Sequence, residues 1–286
     1  MQIKVKTPAK INLTLEIVGK RPDGFHDIKS IMQMINLYDY LTFDIEDSEE
    51  LTISLDGNDP KIPYNEKNIV YKAIKLYFEK AKVSPKKINV YLEKHIPSEA
   101  GLAGGSTNAA GTFLVLNKYF NNALSIEELH ELCARLGSDL NVCLMGGCTL
   151  ATGRGEMVER LPFKEYPVSL IKPEVGISAK EGYQRYAELE NKPNFKNTEK
   201  MIDALKNGND IKDLIQNDLE VGVFNYFEEF HKIKKANPKS IMSGSGSTYF
   251  VLDNKINHVE DYWTAEGLKT IQAGCEIIQI RNKKRN

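Results

Sequence analysis

Hydrophobic positions along the chain switch repeatedly between a period of two and a period near 3.6. Ile3 and Val5 alternate with lysines, and Ile11, Leu13, Leu15 and Ile17 keep that period on one face, which predicts strand. From Asn68 to Ala81, Ile69, Ala73, Leu76, Tyr77 and Phe78 recur at helical spacing; Ser84-Pro85 breaks the helix, and Ile88, Val90 and Leu92 alternate as the next strand. Ala109–Leu116 reads as a mostly buried helix. A further helix shows both ends: Ser125 with Glu128 forms a capping box, and Gly137 is placed as its stop. Residues 190–200 turn polar and read as a loop. Such alternation of strands and helices argues for an α/β or α+β architecture. A fresh strand-and-helix series starts after Gly146-Gly147, so a domain boundary is expected near residue 155, giving units of 1–155 and 156–286.

Composition narrows the picture. A chain of 286 residues suits two ordinary domains, and 41% hydrophobic with 27% charged residues is typical of a folded globular protein. Lys and Arg number 38 against 39 Asp and Glu; a net charge of -1 gives no electrostatic case for nucleic acid. The basic ending Arg281-Asn282-Lys283-Lys284-Arg285 reads as a frayed, solvated tail. No apolar run approaches the ~20 residues of a membrane helix, and residues 1–6 alternate rather than forming a signal peptide. No membrane association and a cytoplasmic location are therefore expected. The four cysteines are not arranged as C-x-x-C pairs; Cys143 and Cys148 have no local His and read as buried free thiols, with no protein-held metal expected. Without an outsized apolar stripe on any helix, a monomer or a weak homodimer is expected.

The richest segment runs from Ile96 to Ala110: Pro97, Ser98, Glu99, Ala100, Gly101, Leu102, Ala103, Gly104, Gly105, Ser106, Thr107 and Asn108 lie between a predicted strand and a predicted helix. Free N–H groups and the helix dipole favour an anion there, and glycines let the backbone curl around phosphate oxygens. Ser106 and Thr107 add hydroxyls at the helix entrance. No Lys-Ser/Thr pair follows the glycines, so this is no Walker A loop, and the spacing is wrong for a dinucleotide fingerprint. A second cluster, Ser243-Gly244-Ser245-Gly246-Ser247-Thr248, precedes the strand-like Tyr249–Leu252. Taken together, two such loops suggest a cleft that meets phosphate from both sides.

Phosphoryl transfer to an alcohol asks for charge compensation by a cation and a carboxylate that orients the hydroxyl. Lys10, just after Pro8 and between strand-like stretches, and Asp139, directly after the Gly137 stop, are the distinctive candidates. From context alone Lys10 reads equally as a solvated strand residue, and Asp139 as a helix cap. Gly24-Phe25-His26 is a turn whose ring pair either stacks on a planar base or serves as a core anchor beside an exposed histidine.

Three pieces together resemble the GHMP kinase superfamily, named for galactokinase, homoserine kinase, mevalonate kinase and phosphomevalonate kinase. They are Pro8-Ala9-Lys10-Ile11-Asn12-Leu13 with Gly24-Phe25-His26, the loop from Pro97 to Ala110, and Met242-Ser243-Gly244-Ser245-Gly246. The first piece is similar to the branch whose alcohol substrate carries a cytidine diphosphate group. The resemblance implies an α+β fold of two domains, the first like domain 2 of ribosomal protein S5 and the second ferredoxin-like. It implies ATP with Mg2+ along Pro97–Thr107, Asn68 and Lys94 near the adenine end, and Lys10 and Asp139 as the catalytic pair. Asn12, Phe25, His26, Gly244, Ser245 and Gly246 would hold the substrate, with Phe25 and His26 embracing the cytosine. Three positions depart from the pattern. Phe25 stands where Tyr is common, Asn141 where a proline is usual, and Glu99 where glycine is usual. A carboxylate facing the triphosphate would oppose it, so Glu99 is expected to point to solvent or to the metal. The rival expectations are a weakened nucleotide-binding paralogue and a kinase of a different small alcohol.

Overall fold

The computed structural model of the chain describes residues 1–282, so Lys283, Lys284 and Arg285 of the basic ending lie outside the described residues. Two long antiparallel strands organise everything else: β1 (Gln2–Lys20) and β2 (His26–Asp47). The alternation seen at residues 3–5 and 11–17 thus belongs to one continuous strand. Its register slips at Pro8/Ala9, where a bulge accommodates a residue that has no N–H to give the ladder. Residues 7–15 are buried on both faces because this part of the sheet is covered on both sides. Ala9, Ile11 and Leu13 join one core, while Lys10, Asn12 and Thr14 point the other way.

The first sheet continues with β3 (Thr52–Gly57), β4 (Lys86–Glu93), β5 (Cys148–Gly153) and β6 (Met157–Arg160). Helices α1 (Ile69–Ala81), α2 (Gly104–Tyr119), α3 (Ile126–Leu136) and α4 (Leu140–Met145) accompany it. Ile3, Val5, Phe43, Tyr77, Phe113 and Leu132 form the core beneath them. Asn68 caps α1 by accepting from the Val70 N–H, and the Ser125–Glu128 capping box is present at α3. Helix α2 begins at Gly104, five residues before the apolar run that announced it.

A second, four-stranded antiparallel sheet follows. Strand β7 (Pro167–Lys172) lies between β10 (Tyr249–Val251) and β11 (Trp263–Lys269), and β9 (Ile241–Met242) flanks β10. Its helices are α5 (Ala179–Ala187), α6 (Asn197–Lys206), α7 (Asp218–Val223) and α8 (Glu228–Ala236). Two strands from this half return to the first sheet: the two-residue β8 (Gln216–Asn217) runs parallel to β1, and β12 (Glu276–Arg281) pairs with its start. Arg281 therefore closes a strand opposite Gln2, a correction to the frayed tail expected there. Pairing beyond residue 155 also bears on the domain division. We propose that the first unit runs through β6 and takes β12 as its last strand, because both are bonded into the first sheet. A shared core of Ala9, Ile11, Ile31, Val168, Leu170 and Phe250 joins the halves.

The polar segment 190–200 needs a second correction, because α6 starts at Asn197 inside it. No local residue signals that start. Distant side chains take the first N–H groups instead: Glu16 accepts from Thr198 at 2.8 Å and Gln216 from Asn197 at 3.3 Å.

Where α2 crosses β1 the contact is close. Thr7 Oγ1 donates to Asn108 Oδ1 at 2.8 Å, and a Cβ on Gly111 would fall 2.5 Å from Thr7 Cγ2. Thr7 is fully buried and its rotamer is fixed by that bond. Gly111→Ala is expected to cost about 1–3 kcal/mol through overpacking, read as a lowered midpoint in chemical denaturation.

Candidate active site

Four elements converge at one point. Strand β1 contributes Lys10 and Asn12; the entrance of α4 contributes Asp139; the 97–106 loop and the 243–246 loop close the remaining sides. Lys10 is almost wholly buried. Its ammonium donates to Asn12 Oδ1 at 2.6 Å and stands 3.5 Å from Asp139 Oδ2. Asn12 is itself held, donating its side-chain N–H to Ser30 Oγ at 2.8 Å. Asp139 occupies the N-cap position of α4, yet its side chain makes no capping bond. Its carboxylate faces Lys10 instead, so the capping reading fails on geometry.

The glycine-rich loop departs from β4 and enters α2. Ala103, at the N-cap, takes a left-handed φ of 59°, and no side chain caps the helix. The first turn of α2 therefore keeps N–H groups that a phosphate can accept from. Packing between the two loops is tight. Ser243 Oγ donates to Gly101 O at 3.0 Å, and the Thr248 N–H donates to Ala100 O at 3.3 Å. A Cβ on Gly101 would sit 1.9 Å from Ser243 O, and φ there is +71°, so only glycine fits. Asn217 holds the second loop from behind, donating to Met242 O and Gly244 O at 2.7 Å each. That clamp had no signal in the local sequence.

Two clefts open from this junction. One, of about 470 Å³, is lined by every residue from Pro97 to Ser106 together with Asn68, Lys94, Ile69 and Val70. Asn68 is engaged, with its oxygen capping α1 and its amide nitrogen donating to Pro63 O. The other, of about 780 Å³, holds Lys10, Asn12, Phe25, His26, Asp139, Gly244 and Ser245. Gly101, Ala103, Ser106 and Ser245 border both clefts. Two expected contacts lie elsewhere. Thr107 is fully buried, with Oγ1 against Cys275 Sγ at 3.5 Å, because a residue one step along the helix from Ser106 faces inward. Gly246 borders neither cleft; its N–H closes the turn on Ser243 O.

At the far end of the larger cleft, the 21–25 turn brings Phe25 and His26 together. Phe25 is exposed, with the Arg154 guanidinium 5.1 Å from its ring centre. His26 stacks on Tyr183 of α5, with ring centres 5.2 Å apart and planes 15° apart. Sequence reading misses Tyr183; its signal is a pair of tyrosines, Tyr183 and Tyr186, three residues apart and hence on one face of an otherwise polar helix, and both rings meet His26. Burial, with Lys20 and Lys192 nearby, holds the His26 imidazole below its ordinary 6.5. Burial, with Asp139 adding to it, pushes the Tyr183 hydroxyl well up, so both rings are neutral at pH 7.

The departures also have places. Asn141 is buried, donating to Glu156 O at 2.7 Å and meeting His130 Nδ1 at 3.0 Å. Glu99 is exposed, one of the two outcomes expected of it. It adopts a left-handed φ of 49°, and its carboxylate lies against Gly176, near Lys172 of the second half. Cys133, Cys143 and Cys148 are buried thiols, and Cys275 is partly buried.

Residues 68–147 match the family described as GHMP kinases N terminal domain. The chain is 38% identical over 297 residues to the 4-diphosphocytidyl-2-C-methyl-D-erythritol kinase of Thermoanaerobacter pseudethanolicus, covering 97% of this chain and 99% of that protein. It belongs to this family of GHMP kinases. The enzyme of the same name from Bacillus cereus is 40% identical over 262 residues, 88% of each chain. A crystal structure of 4-(cytidine 5'-diphospho)-2C-methyl-D-erythritol kinase superposes with a TM-score of 0.73 at 27% identity, over 95% of this chain and 100% of that one. Homoserine kinase from Cytophaga hutchinsonii, at 19% identity and a TM-score of 0.77 over 97% of both chains, shares the fold. Membership in this kinase family accords with the junction of two clefts around Lys10 and Asp139.

A neutral His26 gives a pH expectation. Its folded pKa lies below the unfolded 6.5, so the unfolded chain takes the proton first. Stability from this group is thus present above pH 6.5 and is lost as pH falls below it. Thermal melts from pH 7.5 to 5 should show this component, and it should be absent in His26→Gln.

Proposed function

We propose that this protein transfers the γ-phosphoryl group of ATP to the 2-hydroxyl of 4-diphosphocytidyl-2-C-methyl-D-erythritol, a step of the non-mevalonate route to isoprenoids. The observation that carries the reading is the shared border of the two clefts, where the uncapped start of α2 meets the Lys10–Asp139 pair. In this reading ATP lies in the smaller cleft along Pro97–Ser106, with Asn68 and Lys94 near the base. The alcohol lies in the larger cleft, with its cytosine between Phe25, His26 and Tyr183 and its hydroxyl beside Asp139.

Each residue then has work that its position supports. Asp139 orients the hydroxyl and takes its proton late, which needs little basicity in a loose transition state. Lys10 stabilises charge on the transferred group, and Asn12 fixes the direction of the ammonium. Gly244 and Ser245 close the substrate side. Magnesium ordinarily keeps one or two protein ligands plus phosphates, and the Ser106 hydroxyl, which borders both clefts, would hold it there. Magnesium there would supply charge neutralisation for the phosphates. Lys10 and Asp139 standing 3.5 Å apart favours a working kinase over a weakened paralogue, and the His26–Tyr183 stack favours a base-bearing alcohol. No helix among the described residues is long and apolar enough to cross a membrane, and we place the protein in the cytoplasm as a monomer or weak homodimer.

The test is ATP consumption with magnesium, comparing the cytidyl substrate with methylerythritol phosphate, mevalonate and homoserine. Turnover is expected with the cytidyl substrate alone. Asp139→Asn should lower kcat by roughly 10²–10⁴-fold while calorimetry shows ATP still bound. Turnover with another alcohol would keep the kinase and remove the substrate assignment.

A further inference from the structure

Behind the smaller cleft lies a buried carboxylate that the proposed reaction does not use. Asp39, on β2, is fully buried. Its Oδ1 accepts from two successive backbone N–H groups, His95 and Ile96, at 2.8 Å each, and its Oδ2 pairs with the Lys94 ammonium. All three donors come from the stretch that ends β4 and leads into Pro97, the first residue of the glycine-rich loop. The Lys94 side chain is itself only 5% exposed and borders the smaller cleft.

Lys94 sits in an awkward place for a cation. A Cβ on Gly104, the first residue of α2, would fall 3.0 Å from Lys94 Nζ. The start of a helix carries partial positive charge, so an ammonium beside it is repelled unless a counter-ion compensates. Asp39 is that counter-ion, and a carboxylate receiving two backbone N–H bonds cannot turn away. Burial keeps water from screening the pair. The same group therefore fixes a charge and a length of backbone at the mouth of the loop.

We infer that Asp39 is a positioning residue for the nucleotide: it holds Lys94 and the His95–Ile96 backbone so that the loop from Pro97 starts in a binding geometry. This rests on reading the smaller cleft as the ATP site. Asp39 touches neither cleft, so its influence passes through Lys94 and the loop and falls on nucleotide affinity, leaving the chemistry at Lys10 and Asp139 alone.

The experiment measures steady-state kinetics and calorimetric ATP binding for Asp39→Asn, in which an amide oxygen still serves His95 and Ile96 but the charge is gone. The expected result is a KM and Kd for ATP raised roughly tenfold, with kcat and the KM for the alcohol within twofold of wild type. An unchanged or lowered Kd for ATP, or a loss confined to kcat, overturns the inference. Asp39→Glu keeps the charge but displaces it by one methylene, and serves if Asp39→Asn fails to fold. ATP bound more weakly by Asp39→Glu with kcat unchanged supports the inference, whereas wild-type affinity for ATP overturns it. Wild-type protein that binds no ATP would sink the nucleotide reading itself, a result separate from either variant's.

Discussion

A buried ammonium is the constraint around which the rest is arranged. Lys10 lies on a strand covered on both faces, where a charge is costly without partners. Asn12 and Asp139 supply them, and each comes with its own support. Asn12 is on the same strand face two residues along and is tied to Ser30 across the hairpin. Asp139 is delivered by a short helix whose Asn141 bonds to His130 and to the Glu156 carbonyl. Satisfying one cation thus commits β1, β2, α3, α4 and the β5–β6 turn to a single relative placement.

The two glycine-rich loops are the second commitment, and they are mutual. Gly101 has no room for a side chain because Ser243 O is there, and Ser243 is held because its hydroxyl donates to Gly101 O. One loop belongs to the start of α2 and the other to the second sheet, so their contact is also where the halves of the chain meet over the site. Asn217 ties that meeting to β8, whose two residues run beside Thr14 and Leu15 of β1. A chain of bonded groups therefore runs from β1 around the second loop and back to β1. Motion of the two halves about this point would disturb the loop geometry first.

What could be read from sequence follows how local the cause is. The α1 helix, β4 and the α3 capping box are each encoded within one short stretch of chain, and they appear where expected. The Lys10 and Asp139 roles were open on context, because a lone lysine and a residue after a helix stop have commoner explanations. Only the resemblance to a family joined them, and the fold brings them within 3.5 Å. Other features are set by distant residues and had no local trace. Helix α6 is started by Glu16 and Gln216, β12 pairs with the first strand of the chain, and Thr107 turns away from its neighbour Ser106 toward Cys275. Tyr183 belongs here too: an aromatic on a polar helix gains meaning only when His26 arrives from a turn 157 positions earlier.

The departures from the family pattern show how one constraint can replace another. A proline at 141 would restrict the backbone through its ring; Asn141 instead restrains α4 through two side-chain hydrogen bonds, one at each end of its amide. Glu99 is a harder case, since a left-handed residue with a side chain carries strain that glycine would not. Its carboxylate reaches Gly176, where a Cβ would come within 2.6 Å of the acid oxygen, so the small residue on the second half makes room for the large one on the loop. Lys172, buried nearby with its ammonium on Pro173 O, gives the carboxylate a favourable field. The loop thereby gains a favourable charge interaction with a residue of the second sheet.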